Sequence, residues 1–170
     1  GLTKGQYSPT SKIGTRSPST PDGSLDYPVD PALFALGVGG KFVARAYDIG
    51  QKILPEVLKR AHSNNGASFV EILQNCHVYN DGVFEQVRDK GSIENQLFCE
   101  QGKPLIFGKD RDKGIRLNRE KLSLEVVSLQ DPGVTEADIL IHEETNNILA
   151  KLLAEMRPPN GPMAFGVLYA

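Results

Sequence analysis

Long apolar runs, blocks of like charge and paired cysteines are all scarce in this chain of 170 residues, and each shortage removes a class of function. No apolar stretch approaches the roughly 20 residues that a membrane helix requires. The first residues also lack the basic-then-apolar layout of a secretory signal. The 19 basic and 21 acidic side chains give a formal charge of -2 and are interspersed, so neither nucleic acid nor an anionic membrane is an expected partner. Two cysteines, Cys76 and Cys99, form no CxxC pair. That excludes a disulfide framework and a self-contained zinc or cluster site, so any metal bound here needs ligands from elsewhere. The chain reads as soluble and cytoplasmic, and as one compact domain or part of a larger one.

Complete catalytic constellations are missing as well. There is no Ser/His/Asp order, no phosphate loop and no metal-ligand cluster. His62, His77 and His142 are scattered along the chain and read as surface or satisfied core histidines. Glu143 and Glu144 are neighbours on a predicted helix, where adjacent side chains do not face each other, so they read as a solvated face.

What is present follows an α/β pattern. From Gln6 to Pro31 the chain is rich in Ser, Thr, Pro and Gly, a composition that breaks helix and strand periodicity and predicts a long loop. Asp30-Pro31 starts a short helix that ends at Gly37 to Gly40. Lys41 to Ala46 alternates as a strand, Asp48 to His62 reads as a helix with a fresh start at Pro55, and Ser68 to Leu73 reads as a second strand. Strand, helix, strand is a βαβ unit, which calls for parallel pairing. Ligands in such sheets lie beyond the carboxyl ends of the strands, and Cys76 follows the second strand by three residues. After Asp81 come short strands at Pro104–Gly108, Gly114–Leu117 and Leu122–Val127, the pattern of a small meander. A further strand is expected at Asp138 to Ile141, a helix from Glu143 to Met156 and a closing strand from Met163 to Tyr169. Cys99, beside Leu97 and Phe98, reads as a packing residue.

Beyond these patterns there is a resemblance. The segment Gly1-Leu2-Thr3-Lys4-Gly5-Gln6-Tyr7-Ser8-Pro9-Thr10-Ser11 resembles a loop in the β subunit of the two-subunit 2-oxoacid:ferredoxin oxidoreductases. The phrases Phe42-Val43-Ala44-Arg45, Ser68-Phe69-Val70-Glu71-Ile72-Leu73-Gln74-Asn75-Cys76, Tyr79-Asn80-Asp81 and Ile139-Leu140-Ile141-His142-Glu143 follow in the family's order. The resemblance implies the parallel-sheet, carboxy-terminal half of a thiamine-diphosphate-binding domain at residues 1–75, followed by a small α+β extension at 76–170. It implies an enzyme that oxidatively decarboxylates a 2-oxoacid, 2-oxoglutarate more than pyruvate, to acyl-CoA and carbon dioxide, with electrons leaving through a [4Fe–4S] cluster to ferredoxin. The partners implied are an α subunit, ferredoxin, the 2-oxoacid and coenzyme A.

Carried onto this chain, the family pattern assigns Gly1, Leu2 and Thr3 to thiamine diphosphate, Lys4 to the catalytic, substrate-facing side of that cofactor, and Cys76 to the [4Fe–4S] cluster. The magnesium motif and three further cluster cysteines are expected upstream of Gly1, so this chain is expected to be a portion of the subunit. The alternative is a truncated, non-catalytic module that only docks with the partner subunit.

Overall fold

The computed structural model describes residues 5–170, and the expectations placed on Gly1, Leu2, Thr3 and Lys4 lie outside them. The long proline-rich and glycine-rich segment is irregular as expected. It is folded back on itself by bonds such as Gly14 N to Ser24 O at 2.8 Å and Val29 N to Pro9 O at 2.8 Å. Asp30 ends it: one carboxylate oxygen accepts the Leu33 amide at 2.9 Å, and Pro31 opens α1, Pro31–Gly37. The cap satisfies an amide that the first turn cannot, and proline wastes none.

The predicted parallel unit follows as β1 (Val43–Tyr47), α2 (Ile53–Ser63) and β2 (Phe69–Leu73), with Val43 opposite Phe69 and Tyr47 opposite Leu73. The helix does not begin at Asp48. Residues 48–52 turn away from β1, and Pro55 sits in the first turn of α2, where its missing N–H leaves no bond unmade.

Further along lie α3 (Glu85–Arg88), β3 (Gln96–Cys99), β4 (Ile106–Phe107), β5 (Lys113–Asn118), β6 (Ser123–Ser128), α4 (Asn147–Glu155) and β7 (Met163–Tyr169). The main sheet has the order β2-β1-β7-β3, so strands from both sides of residue 75 share it. β7 runs antiparallel to β1 and parallel to β3. The strand β3 escapes a reading of the sequence because four residues beginning with Gln96 give no usable alternation. It forms because β7 offers a parallel edge. Gly166, at φ +114°, lets the two backbones meet, since a Cβ there would stand 2.6 Å from Cys99 O.

β4, β5 and β6 make the expected antiparallel meander. Residues 138–141 are not a strand. A 3₁₀ turn, Glu136–Asp138, is fixed by a reciprocal Thr135–Asp138 cap. The chain after it threads between two neighbours, Leu140 N bonding to Ile115 O at 2.9 Å and Leu105 N to Leu140 O at 2.8 Å. Nor does the last helix start at Glu143: Asn146 accepts the amides of Ile148 and Leu149 and so sets the first turn of α4.

α1 and α4 pack on one face of the sheet. Ala32, Leu36, Leu149, Leu153 and Ala154 meet Val43, Leu97, Ala164 and Leu168 there, and the meander adds Ile115 and Phe107. α2 covers part of the other face through Val57, against Phe42, Ala44 and Val167. A third cluster joins Leu73, Val87, Met163 and Phe165, with the Tyr47 and Phe165 rings edge to face at 5.0 Å. Arg45 is wholly buried on β1. Its Nε donates to Glu71 at 2.6 Å, while Nη2 lies 3.5 Å from Asp30, so one guanidinium ties the α1 cap to β2. No helix among the described residues is long and apolar enough to cross a membrane.

Candidate functional site

The parallel strands β1 and β2 end side by side, and the loops leaving their carboxyl ends are where an open α/β sheet receives ligands. The loop after β2 carries Cys76, which is half-buried and free of any disulfide. Its turn closes through Asn80 N to Cys76 O at 3.0 Å. Asn75 braces the same turn, its side-chain oxygen accepting Gly82 N at 3.0 Å and its amide donating to Asp81 at 2.6 Å. As a result the backbone amides of Tyr79, Val78 and Asn80 donate toward Cys76 Sγ, that of Tyr79 most strongly. The Tyr79 amide is the largest influence, desolvation opposes it, and the balance holds the thiol below its ordinary range.

Cys99 is the opposite case. It is buried on β3, and desolvation pushes its thiol up to about 12. A thiol so held stays protonated and inert, which agrees with its reading as a packing residue.

The remaining sequence candidates divide. His62 is exposed near the end of α2. His77 is exposed beside Asp81, 3.3 Å away, and His142 is buried with Nε2 2.8 Å from Val167 O. The expectation for the paired glutamates fails at Glu144. Because α4 begins after them, the two lie in its approach, where Glu144 is buried and takes both Nη atoms of Arg60, at 2.7 and 2.5 Å. Glu143 stays exposed, accepting from Gln101 and Thr145.

Two residues that sequence reading passed over belong to the Cys76 neighbourhood, Asp48 just after β1 and Arg88 at the end of α3. Asp48 was open to the strand-end rule that singled out Cys76. Arg88 becomes visible only once the turn is folded. Tyr79, quoted above only as part of a family phrase, lines the turn.

Two surface hollows lie among the described residues. One of about 540 Å³ lies along the irregular segment at Gln6, Tyr7, Asp26 and Tyr27. A groove of about 1070 Å³ runs between α2 and the β3–β7 half of the sheet, and its two arginines, Arg60 and Arg88, are already paired with Glu144 and Asp48.

Among the described residues no three His, Cys, Asp or Glu side chains converge on a metal position. Cys76 therefore offers one sulfur donor, and a cluster bound there needs its other ligands from other segments. The donor itself suits an iron–sulfur cluster, being soft, reachable from solvent and backed by amides that stabilise sulfur charge. The residues assigned to thiamine diphosphate precede the described range.

No protein-family model matches the chain. Individual proteins do. The chain is 42% identical over 143 residues to the 2-oxoglutarate oxidoreductase subunit KorB of Mycobacterium tuberculosis, a match covering 84% of this chain and 37% of that protein. It is 39% identical over 90 residues to the 2-oxoacid:ferredoxin oxidoreductase subunit beta of Saccharolobus solfataricus, covering 53% of this chain and 30% of the relative. A solved 2-oxoglutarate:ferredoxin oxidoreductase from Magnetococcus marinus, with 2-oxoglutarate, coenzyme A and succinyl-CoA bound, superposes with a TM-score of 0.64 at 24% identity. That likeness covers 99% of this chain and 42% of the solved one, and it speaks for the fold alone. The chain spans well under half the length of the relatives it matches. Over the part that it spans, the chain belongs with the β subunits of the 2-oxoacid:ferredoxin oxidoreductases.

Proposed function

We infer that the chain is part of the β subunit of an enzyme that oxidatively decarboxylates a 2-oxoacid, with 2-oxoglutarate favoured. In that reaction the 2-oxoacid and coenzyme A give acyl-CoA and carbon dioxide, and the two electrons released reduce two one-electron acceptors of the ferredoxin type. The names of the relatives support the reaction class. The observation that carries this chain's own part is the contrast between its cysteines: one half-buried thiol with three amides directed at it, and one sealed in the core.

Cys76 holds a thiolate at the carboxyl edge of the parallel pair and serves as one ligand of a [4Fe–4S] cluster. Such a cluster, when bound, accepts and passes on single electrons. The amides of Tyr79, Val78 and Asn80 favour the charged form of the sulfur, and the Asn75 bracing fixes its direction. Gly1, Leu2 and Thr3 are proposed to lie against thiamine diphosphate, and Lys4 to meet the substrate carboxylate as a movable point charge.

The test compares Cys76→Ser with Cys99→Ser in the full β subunit assembled with its α subunit. Cys76→Ser is expected to lower iron and acid-labile sulfide, weaken the visible absorption and stop ferredoxin reduction, because a serine oxygen replaces a soft thiolate poorly. Cys99→Ser should leave all three close to wild type. Full iron content and normal turnover in Cys76→Ser would refute the assignment.

A further inference from the structure

The loop that presents Cys76 leaves the sheet at Asn75 and rejoins the packed body at Arg88 on α3. Both ends meet the same residue. Asp48, the first residue past β1, accepts Arg88 Nε at 2.5 Å on one carboxylate oxygen and Arg88 Nη2 at 3.2 Å on the other. The same carboxylate accepts the backbone amide of Ile49 at 2.8 Å. The Asp48 amide in turn donates to Leu73 O at 3.0 Å, which fixes Asp48 itself to the end of β2.

We propose that Asp48 is a positioning residue for Cys76, clamping shut both ends of the loop that carries the thiol. This rests on the reading of Cys76 as a cluster ligand. The clamp is built from half-buried groups, with the Arg88 side chain 12% and the Asp48 side chain 26% exposed. Solvent therefore replaces neither partner fully, and a charge-assisted two-point contact fixes orientation as well as distance. Within the clamp, the Asn75 side chain holds Gly82 N and Asp81, and the Asn80 amide holds Cys76 O. The order of constraint runs from Asp48, through Leu73 at one end and Arg88 at the other, to the Asn75-braced turn that carries Cys76. A ligand held this way meets its metal without first having to order a loop, the usual role of residues behind a metal ligand.

Removing the carboxylate leaves the Ile49 amide and a half-buried guanidinium without their acceptor, and the loop loses its tie at Arg88. In the 170-residue chain, Asp48→Ala is expected to speed amide hydrogen exchange across residues 75–82 about tenfold while the amides of β7 keep their protection. In the full β subunit assembled with its α subunit, the same variant should lose iron to a chelator several-fold faster than wild type. Asp48→Asn, which retains an oxygen for one N–H of Arg88, should recover part of both effects. Should Asp48→Ala fail to fold, Arg88→Lys decides, since it removes the two-point contact from the other end and must speed the same exchange. Unchanged exchange in residues 75–82 of a folded variant, or equal loss of protection in β7 and in residues 75–82, overturns the proposal. The exchange measurement uses no cluster, so a failed clamp and a failed ligand assignment for Cys76 are told apart.

Discussion

The ring of Tyr79 lies directly on the backbone of Gly5: a Cβ added to Gly5 would stand 2.7 Å from Tyr79 Cδ1. Tyr79 thus has its amide directed at Cys76 Sγ and its ring against Gly5. Gly5 also sits at φ +74°, a conformation that side chains strain to adopt. Gly5→Ala is therefore expected to cost about 1–3 kcal/mol, measured by urea denaturation. Pairing it with Tyr79→Ala should recover the steric share, so additive losses in the double variant would show that the ring contact carries no strain.

Arg45 sets a second expectation. Its side chain is wholly buried, bonded to Glu71, and near Asp30, which also receives Arg157. Glu71→Ala would strip a buried guanidinium of its only hydrogen-bonded carboxylate, a change that typically costs about 3–5 kcal/mol. Changing Arg45 and Glu71 together to apolar residues should cost less than Glu71→Ala alone. Equal losses would mean that the unpaired charge is not the cause.

Several carboxylates predict the acid limb of stability. Asp48 is held below its ordinary 3.8 first by the Arg88 hydrogen bond, and Glu125 below 4.5 first by Arg116 and then by Asn118. A depressed folded value means that the folded state binds the proton less readily than the unfolded one. The stabilisation is complete above about pH 5 and disappears as the pH falls through and below the ordinary carboxylate range. Chemical denaturation followed from pH 6 down to about pH 3 should show stability falling, and Glu125→Gln should flatten part of that fall. A parallel fall in the variant would remove Glu125 from the account.

The parts that local rules decide were legible in the sequence. Asp30-Pro31 starts α1 because a carboxylate cap and a proline act within one turn. Alternation and spacing gave the parallel β1–α2–β2 unit, and with it the location of Cys76. What failed to show was what distant partners decide. β3 exists through its pairing with β7, across more than 60 residues of chain. Glu144 is buried because Arg60, 84 residues earlier, reaches it. The start of α4 turned on a local signal that the reading overlooked, the asparagine cap at Asn146. At the candidate site, strand-end position pointed to Cys76, but the Asp48–Arg88 clamp joins residues 40 apart and leaves no local mark.

The buried thiol gives the last prediction, on the alkaline side. Desolvation raises Cys99 from its ordinary 9.0 to about 12, so the folded chain keeps a proton that the unfolded chain releases. Between about pH 9 and pH 12 the unfolded state binds fewer protons, and stability must fall as the pH rises. Below about pH 8 the group is protonated in both states and contributes no pH dependence. Tyrosines and lysines also titrate in this window, so the wild-type curve alone does not isolate the thiol. Cys99→Ala does: it removes the thiol and leaves the other groups in place, so the difference between wild type and variant reports Cys99. That difference should favour wild type near neutrality, because the smaller side chain leaves a cavity, and should shrink steadily above about pH 9. A difference that stays constant to about pH 11 would mean that the Cys99 thiolate is tolerated in the folded chain.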